Sequence, residues 1–225
     1  MKVLQNTSRK DQKKLYMITV PPLTDDGLLS LVALLKTNTA PFFVTVTPDA
    51  LAEQNECFDN VQAKIQRDGG DRIVGWQFWK HQFMIEAEYH AVWKSPNGEL
   101  IDITPKNSAI DKIMFVEDLN NPYDGQQLDN IRLNTTNNLL VNDFIALAQA
   151  IFYLFSGGEK ARMKMVSFTP HEQEILNYLN SVMAGVDGML KKNGVRNTPC
   201  FCLSNLKYKH CHGKDLVAYL NSIQS

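Results

Sequence analysis

The chain of 225 residues is long enough for one substantial domain plus an appendage. Its 44% hydrophobic and 21% charged content exclude a disordered or fibrous chain. The formal net charge of -1 provides no global attraction to nucleic acid or to an anionic membrane, so any electrostatic role must come from a local patch.

Residues 1–14 are polar, carry several lysines and lack the apolar stretch of a secretory signal, so a cytoplasmic protein is expected. Residues 1–15 read as a polar lead, 16–192 as the main domain and 194–225 as a separate terminal module. Thr24, Asp25 and Asp26 are candidate caps for a short amphipathic helix bearing Leu28, Leu31, Val32, Leu34 and Leu35. Residues 42–46 are β-branched and aromatic between two prolines, the pattern of a strand. A helix over about 57–67 would align Cys57, Val61 and Ile65 on one face and stop at Gly69 and Gly70.

Residues 73–103 are rich in strand-forming side chains, with their clearest turn at Ser95, Pro96, Asn97 and Gly98. Proline suits the second position of a type I turn and glycine the left-handed residue that follows, which predicts a three-residue hairpin loop over 96–98. Ser95 then faces Glu99, Val92 faces Asp102 and His90 faces Thr104. Alternation puts Ala87, Tyr89, Ala91, Trp93, Ile101 and Ile103 on a core face, with Glu86, Glu88, His90, Asp102 and Thr104 on the other. Residues 105–138 read largely as loop, with a strand at about 113–116. Two helices are expected at about 141–155 and 171–192, the second weakened by Gly185 and Gly188 and ended by Asn193 and Gly194. The apolar run 139–155 is broken by Asn142, Asp143 and Gln149 and falls short of the roughly 20 residues of a membrane span. It reads as a buried helix, and no membrane partner is expected. A closing helix is expected at 215–223.

Three of the four cysteines crowd beside a histidine near the end of the sequence: Cys200, Cys202, Cys211 and His212. Two closely spaced ligand pairs joined by a short loop can supply a closed tetrahedral site, which implies one structural zinc ion with no position open to substrate. Its binding would hold together a segment with almost no core of its own. The segment resembles the SEC-C motif, over about 198–214, in both ligand pairs, Ser204 and the run Lys207, Tyr208 and Lys209. Leu203 and Asn205 stand where that family usually has glycines. Lys191, Lys192, Arg196, Lys207, Lys209 and Lys214 form a basic stretch without an acid. The resemblance implies docking on a protein partner; nucleic-acid phosphates are the less favoured alternative.

Cys57 opens a helix, where unsatisfied backbone N–H groups favour a thiolate. It is also placed to fill the apolar face it shares with Val61 and Ile65, as free cysteines often do. His90 and Asp102 are diagonal neighbours across the hairpin, so Asp102 could hold the imidazole while His90 takes the thiol proton; an ordinary surface histidine is the alternative. Gln54 or Asn55 could serve with the Cys57 N–H as oxyanion donors, and Trp76 and Trp79 either line a groove or belong to the core. The chain order Cys57, His90, Asp102, with the segments around His90 to Trp93 and Leu100 to Pro105, resembles the transglutaminase-like branch of the papain-like cysteine hydrolases. That resemblance, over about 50–106, implies an α+β fold in which a nucleophile helix packs on a small antiparallel sheet. It also implies a thiol hydrolase or acyl transferase with Cys57, His90 and Asp102 as catalytic residues. The alternative is a non-catalytic protein-binding adaptor whose hydrolase-like core is idle.

Overall fold

The computed structural model describes residues 18–37, 39–158, 160, 163 and 166–224, so the expected lead over 1–15 lies outside the described residues. The chain is a mixed α+β protein that divides into two compact units.

Within the first unit, helix α1 (Asp26–Leu35) starts where Asp25 accepts the Leu28 N–H at 3.1 Å. Strand β1 (Phe42–Val46) follows, then helix α2 (Cys57–Asp68), strands β2 (Asp71–Lys80), β3 (Met84–Lys94), β4 (Leu100–Asp102), β5 (Lys112–Glu117) and β6 (Ile131–Asn134). These helix and strand positions follow the sequence pattern closely, apart from β6. That strand is only four residues long beside an asparagine-rich stretch, which hid it in a region read as loop. The hairpin has the expected register, with Trp93 opposite Ile101 and Lys94 opposite Leu100. Gly98 supplies the left-handed residue of its turn, at φ 88°.

The strands lie in the order β2-β5-β1-β4-β3-β6, and β2 also pairs with β3, so the first five close on themselves as a barrel and β6 extends from β3. The small sheet is therefore not purely antiparallel, because β1 and β4 run parallel. A parallel pair needs a long crossover, and residues 47–99, which include α2, supply it. Closure gives the sheet two buried faces. Val44, Val92, Ile113 and Phe115 pack as one cluster. Gly75 allows this, since a Cβ there would meet the Phe115 ring at 2.8 Å and the Val116 carbonyl at 2.0 Å. On the other face α2 packs over β3, with the Phe58 ring 5.2 Å from Tyr89 and 3.8 Å from Tyr123. Trp93 ties off the end of that helix by donating to the Gly69 carbonyl at 2.9 Å. Ala87, Tyr89, Ala91 and Trp93 are buried as the alternation requires; the His90 side of the hairpin is buried as well.

The second unit comprises Asp124–Asp129 and the chain from Thr136 onward. It holds helices α3 (Leu139–Ser156), α4 (Pro170–Leu190) and α5 (Leu216–Gln224), with a 3-10 turn at Tyr208–His210. Thr169 and Glu172 form a reciprocal capping box at the start of α4. By length and composition α3 could cross a membrane, but it buries Leu140, Leu147, Ala150 and Leu154 and packs against α4 and α5. The compact units part around 124–136, so α3 and α4 lie in the same unit as the terminal module. The terminal module has too little apolar surface to close a core alone, and it shares one with α3 and α4. Phe201 seats on α4 where Gly185 leaves room, a Cβ there being only 2.4 Å from the ring. Arg196 pairs with Asp143 of α3 at 3.0 Å.

Candidate thiol cleft and candidate metal centre

Cys57 is the first residue of α2, and no described side chain caps that helix end. Asn60 braces the approach to it by donating to the Glu53 carbonyl at 2.7 Å and to Thr104 Oγ1 at 3.2 Å, while accepting the Glu53 N–H at 2.9 Å. One buried amide thus joins the segment before the cysteine, the helix and the chain leaving β4. Cys57 and His90 line one cleft of about 310 Å³, together with Gln54, Asn55, Gln77, Trp79, Glu88 and Lys106. Trp76 is core, its indole donating to Asp118 at 2.8 Å.

His90 Nε2 lies 3.2 Å from Asp102 Oδ2, with the two side chains only 2% and 0% exposed. The other Asp102 oxygen accepts the Thr104 N–H at 3.0 Å, which fixes the carboxylate against its own turn. Because Nε2 faces Asp102, the ring nitrogen Nδ1 is the one left for a proton exchange elsewhere. Lys106 completes the group, 2.6 Å from Asp102 Oδ2, 3.4 Å from His90 Nε2 and 3.0 Å from Gln77 Oε1. Burial works against a charged His90, but the Asp102 carboxylate and the Cys57 sulfur outweigh both burial and Lys106, raising it to about 9. Burial likewise works against a charged Asp102, yet His90 and Lys106 hold it down at about 2. An exposed surface histidine is excluded by this geometry.

Lys106, Gln77 and Glu88 are not among the site residues expected from the sequence. Lys106 sits four residues after Asp102, beyond the turn at Thr104 and Pro105, and opposite charges at that spacing were the available signal. Gln77 stands directly opposite Glu88 in the β2–β3 ladder, a register visible only once the strands pair.

In the second unit Cys200, Cys202, Cys211 and His212 form a cluster that could hold a metal ion, their ligand atoms all lying within 4.8 Å of one another. His212 Nδ1 is 3.3 Å from Cys200 Sγ and 3.4 Å from Cys211 Sγ, and the Cys202 and Cys211 sulfurs are 3.5 Å apart. Tetrahedral zinc, with bonds of about 2.0 Å to nitrogen and 2.3 Å to sulfur, places its ligand atoms roughly 3.5–3.8 Å apart, close to these separations. The donor set therefore fits zinc, and Nδ1 is the histidine atom facing the sulfurs. The loop is held by the Cys200 N–H donating to Leu206 O at 2.8 Å and the Tyr208 N–H donating to Thr198 O at 2.9 Å. Leu203 and Asn205 adopt φ of 60° and 62°, so the loop keeps a left-handed shape without glycine at either position. Beneath it Tyr208 is fully buried against Gly213 and beside Asp143. The basic stretch is partly neutralised, since Arg196 pairs with Asp143 and Lys191 with Asp187 at 2.5 Å.

A family model described as the SEC-C motif matches residues 196–214, the stretch that carries all four of these ligands. Comparison with curated proteins and with solved structures gives no match.

Proposed function

We propose that the first unit is a thiol hydrolase or acyl transferase acting on an amide, peptide or thioester bond, and that the knuckle is a structural zinc module that docks the protein on a protein partner. The observation that carries the catalytic reading is the buried His90–Asp102 pair at 3.2 Å opening on the same cleft as a cysteine at an uncapped helix start. With His90 raised to about 9, the imidazole already holds its proton at neutral pH. Its work in the first half-reaction is then that of an acid. The Cys57 sulfur adds to the carbonyl carbon, the bond to the leaving group breaks, and His90 protonates that group to leave an acyl-cysteine. In the second half-reaction His90 takes the proton of the incoming water or amine, which attacks the acyl carbon and releases the sulfur. Asp102 orients the ring throughout, and the open N-terminus of α2 offers the Cys57 N–H to the developing oxyanion.

For the knuckle, the support is the SEC-C match together with a donor set whose spacing suits closed tetrahedral zinc. Zinc there would supply cross-linking of the loop; the chain's own residues supply the docking surface. Lys192, Lys207, Lys209 and Lys214 are exposed around the site, which suits an acidic protein partner. All four cysteines are free, in keeping with a reducing compartment such as the cytoplasm.

Limited iodoacetamide labelling of zinc-loaded protein, mapped by mass spectrometry across pH, tests the catalytic reading. Cys57 is expected to label first, to remain reactive well below pH 8, and to lose that reactivity in His90→Ala. Labelling of Cys57 that appears only on unfolding and ignores His90 would leave an idle core and favour the adaptor.

A further inference from the structure

Glu88 stands two residues before His90 on β3, so the two side chains leave the strand on the same face, and both line the cleft with Cys57. One of its oxygens, Oε2, accepts both the Gln77 amide N–H and the Trp79 indole N–H, each at 2.7 Å. Gln77 turns its carbonyl oxygen to the Lys106 ammonium at 3.0 Å. Only one orientation of that amide serves an ammonium on one side and a carboxylate on the other. These neutral donors hold Glu88 in place without cancelling its charge. The neighbouring acids are matched: Glu86 lies 2.8 Å from Arg132 and 3.2 Å from His81, and Asp102 is shared by His90 and Lys106. Among the described residues no cation pairs with Glu88. A clamped carboxylate without a counter-ion, half-buried in the cleft that also holds the candidate nucleophile, is completed by a positive charge brought from outside.

We propose that Glu88 makes this cleft select substrates bearing a cationic group, an ammonium or a guanidinium, next to the carbonyl that Cys57 attacks. The reaction rests on the thiol reading above; the recognition of the cation does not. The Trp79 indole N–H, bonded to the same carboxylate, reports on it directly. In NMR titrations at constant ionic strength, n-butylammonium or methylguanidinium should shift the Trp79 indole resonance saturably, and Glu88→Gln should weaken that binding about tenfold, as loss of one nearby charge implies. The isosteric neutral n-butanol should shift it far less in the wild-type protein, a comparison that needs no variant to fold. No saturable shift with either cation, an equal response to n-butanol, or an unchanged response in Glu88→Gln would overturn the proposal. Labelling of Cys57 then separates the two readings. The rate ratio of cationic 2-aminoethyl methanethiosulfonate to neutral methyl methanethiosulfonate should fall about tenfold in Glu88→Gln. A cation-dependent Trp79 shift in a protein whose Cys57 is inert to both reagents would uphold the cation subsite and sink the thiol reading.

Discussion

Burial alone would strip the charge from an imidazole as enclosed as that of His90, yet Asp102 and the Cys57 sulfur outweigh it and raise the group from 6.5 to about 9. Its contribution to stability is therefore complete below pH 6.5 and disappears as the pH climbs through 9. Asp102, lowered from 3.8 to about 2, behaves in the opposite sense: its contribution is complete above 3.8 and is lost as the pH falls through 2. The pair is at full strength between those limits, from weakly acidic to nearly neutral solution. Urea unfolding of the wild-type protein should show stability declining between pH 6.5 and 9 by up to about 3 kcal/mol, the full value of such a displacement. In His90→Gln that decline should vanish. An identical slope in both proteins would mean that the imidazole is not charged in the folded state.

Helix α4 shows how two glycines three residues apart on one element can have opposite meanings. Sequence alone treats Gly185 and Gly188 alike, as weak points worth about 1 kcal/mol each relative to alanine. A Cβ at Gly185 would lie 2.4 to 2.6 Å from the Phe201 ring, whereas one at Gly188 meets nothing within 4 Å. Gly188→Ala should therefore stabilise the protein by about 0.5–1 kcal/mol, the gain expected where alanine fits without strain. Gly185→Ala should destabilise it by about 1–3 kcal/mol, because the overpacking exceeds the helical gain. Denaturant midpoints of the two variants check the pair; stabilisation by both would show that Phe201 does not seat on α4. The knuckle loop holds a related tension. Leu203, 87% exposed, takes a left-handed backbone that costs a β-carbon roughly 1–2 kcal/mol, and the loop tolerates this because its hydrogen bonds and ligand pairs determine its course.

For the molecule as a whole, the knuckle's apolar side chains belong to the core of the second unit, with Tyr208, Leu216 and Leu220 buried alongside the residues of α3 and α4. Loss of the metal should then loosen the entire second unit rather than only the terminal segment. The purified, reduced protein is expected to carry one zinc per chain. Chelation, or Cys202→Ser, should lower a first thermal transition assigned to α3, α4 and the knuckle while the barrel's own transition stays put, since structural zinc contributes on the order of 10 kcal/mol at such sites. Absence of zinc by metal analysis, or a single transition that moves as one, would overturn this picture.

Local signals were enough for much of this chain. The cap at Asp25, the stop at Gly69 and Gly70, the turn at Pro96 to Gly98 and the knuckle ligands are short-range features whose geometry depends on adjacent residues. The hairpin register followed from its turn, and it brought His90 and Asp102 together as diagonal neighbours. What only the tertiary structure decided depends on pairings distant in the chain. Closure of β2 on β3 and of β1 on β4 buried the second face of the hairpin, which a hairpin read in isolation leaves open to water. The pairing of β2 with β3 also set Gln77 against Glu88. The sharing of one core by the knuckle, α3 and α4 arises from apolar surface that neither partner can bury alone, and no window of sequence contains both sides of that contact.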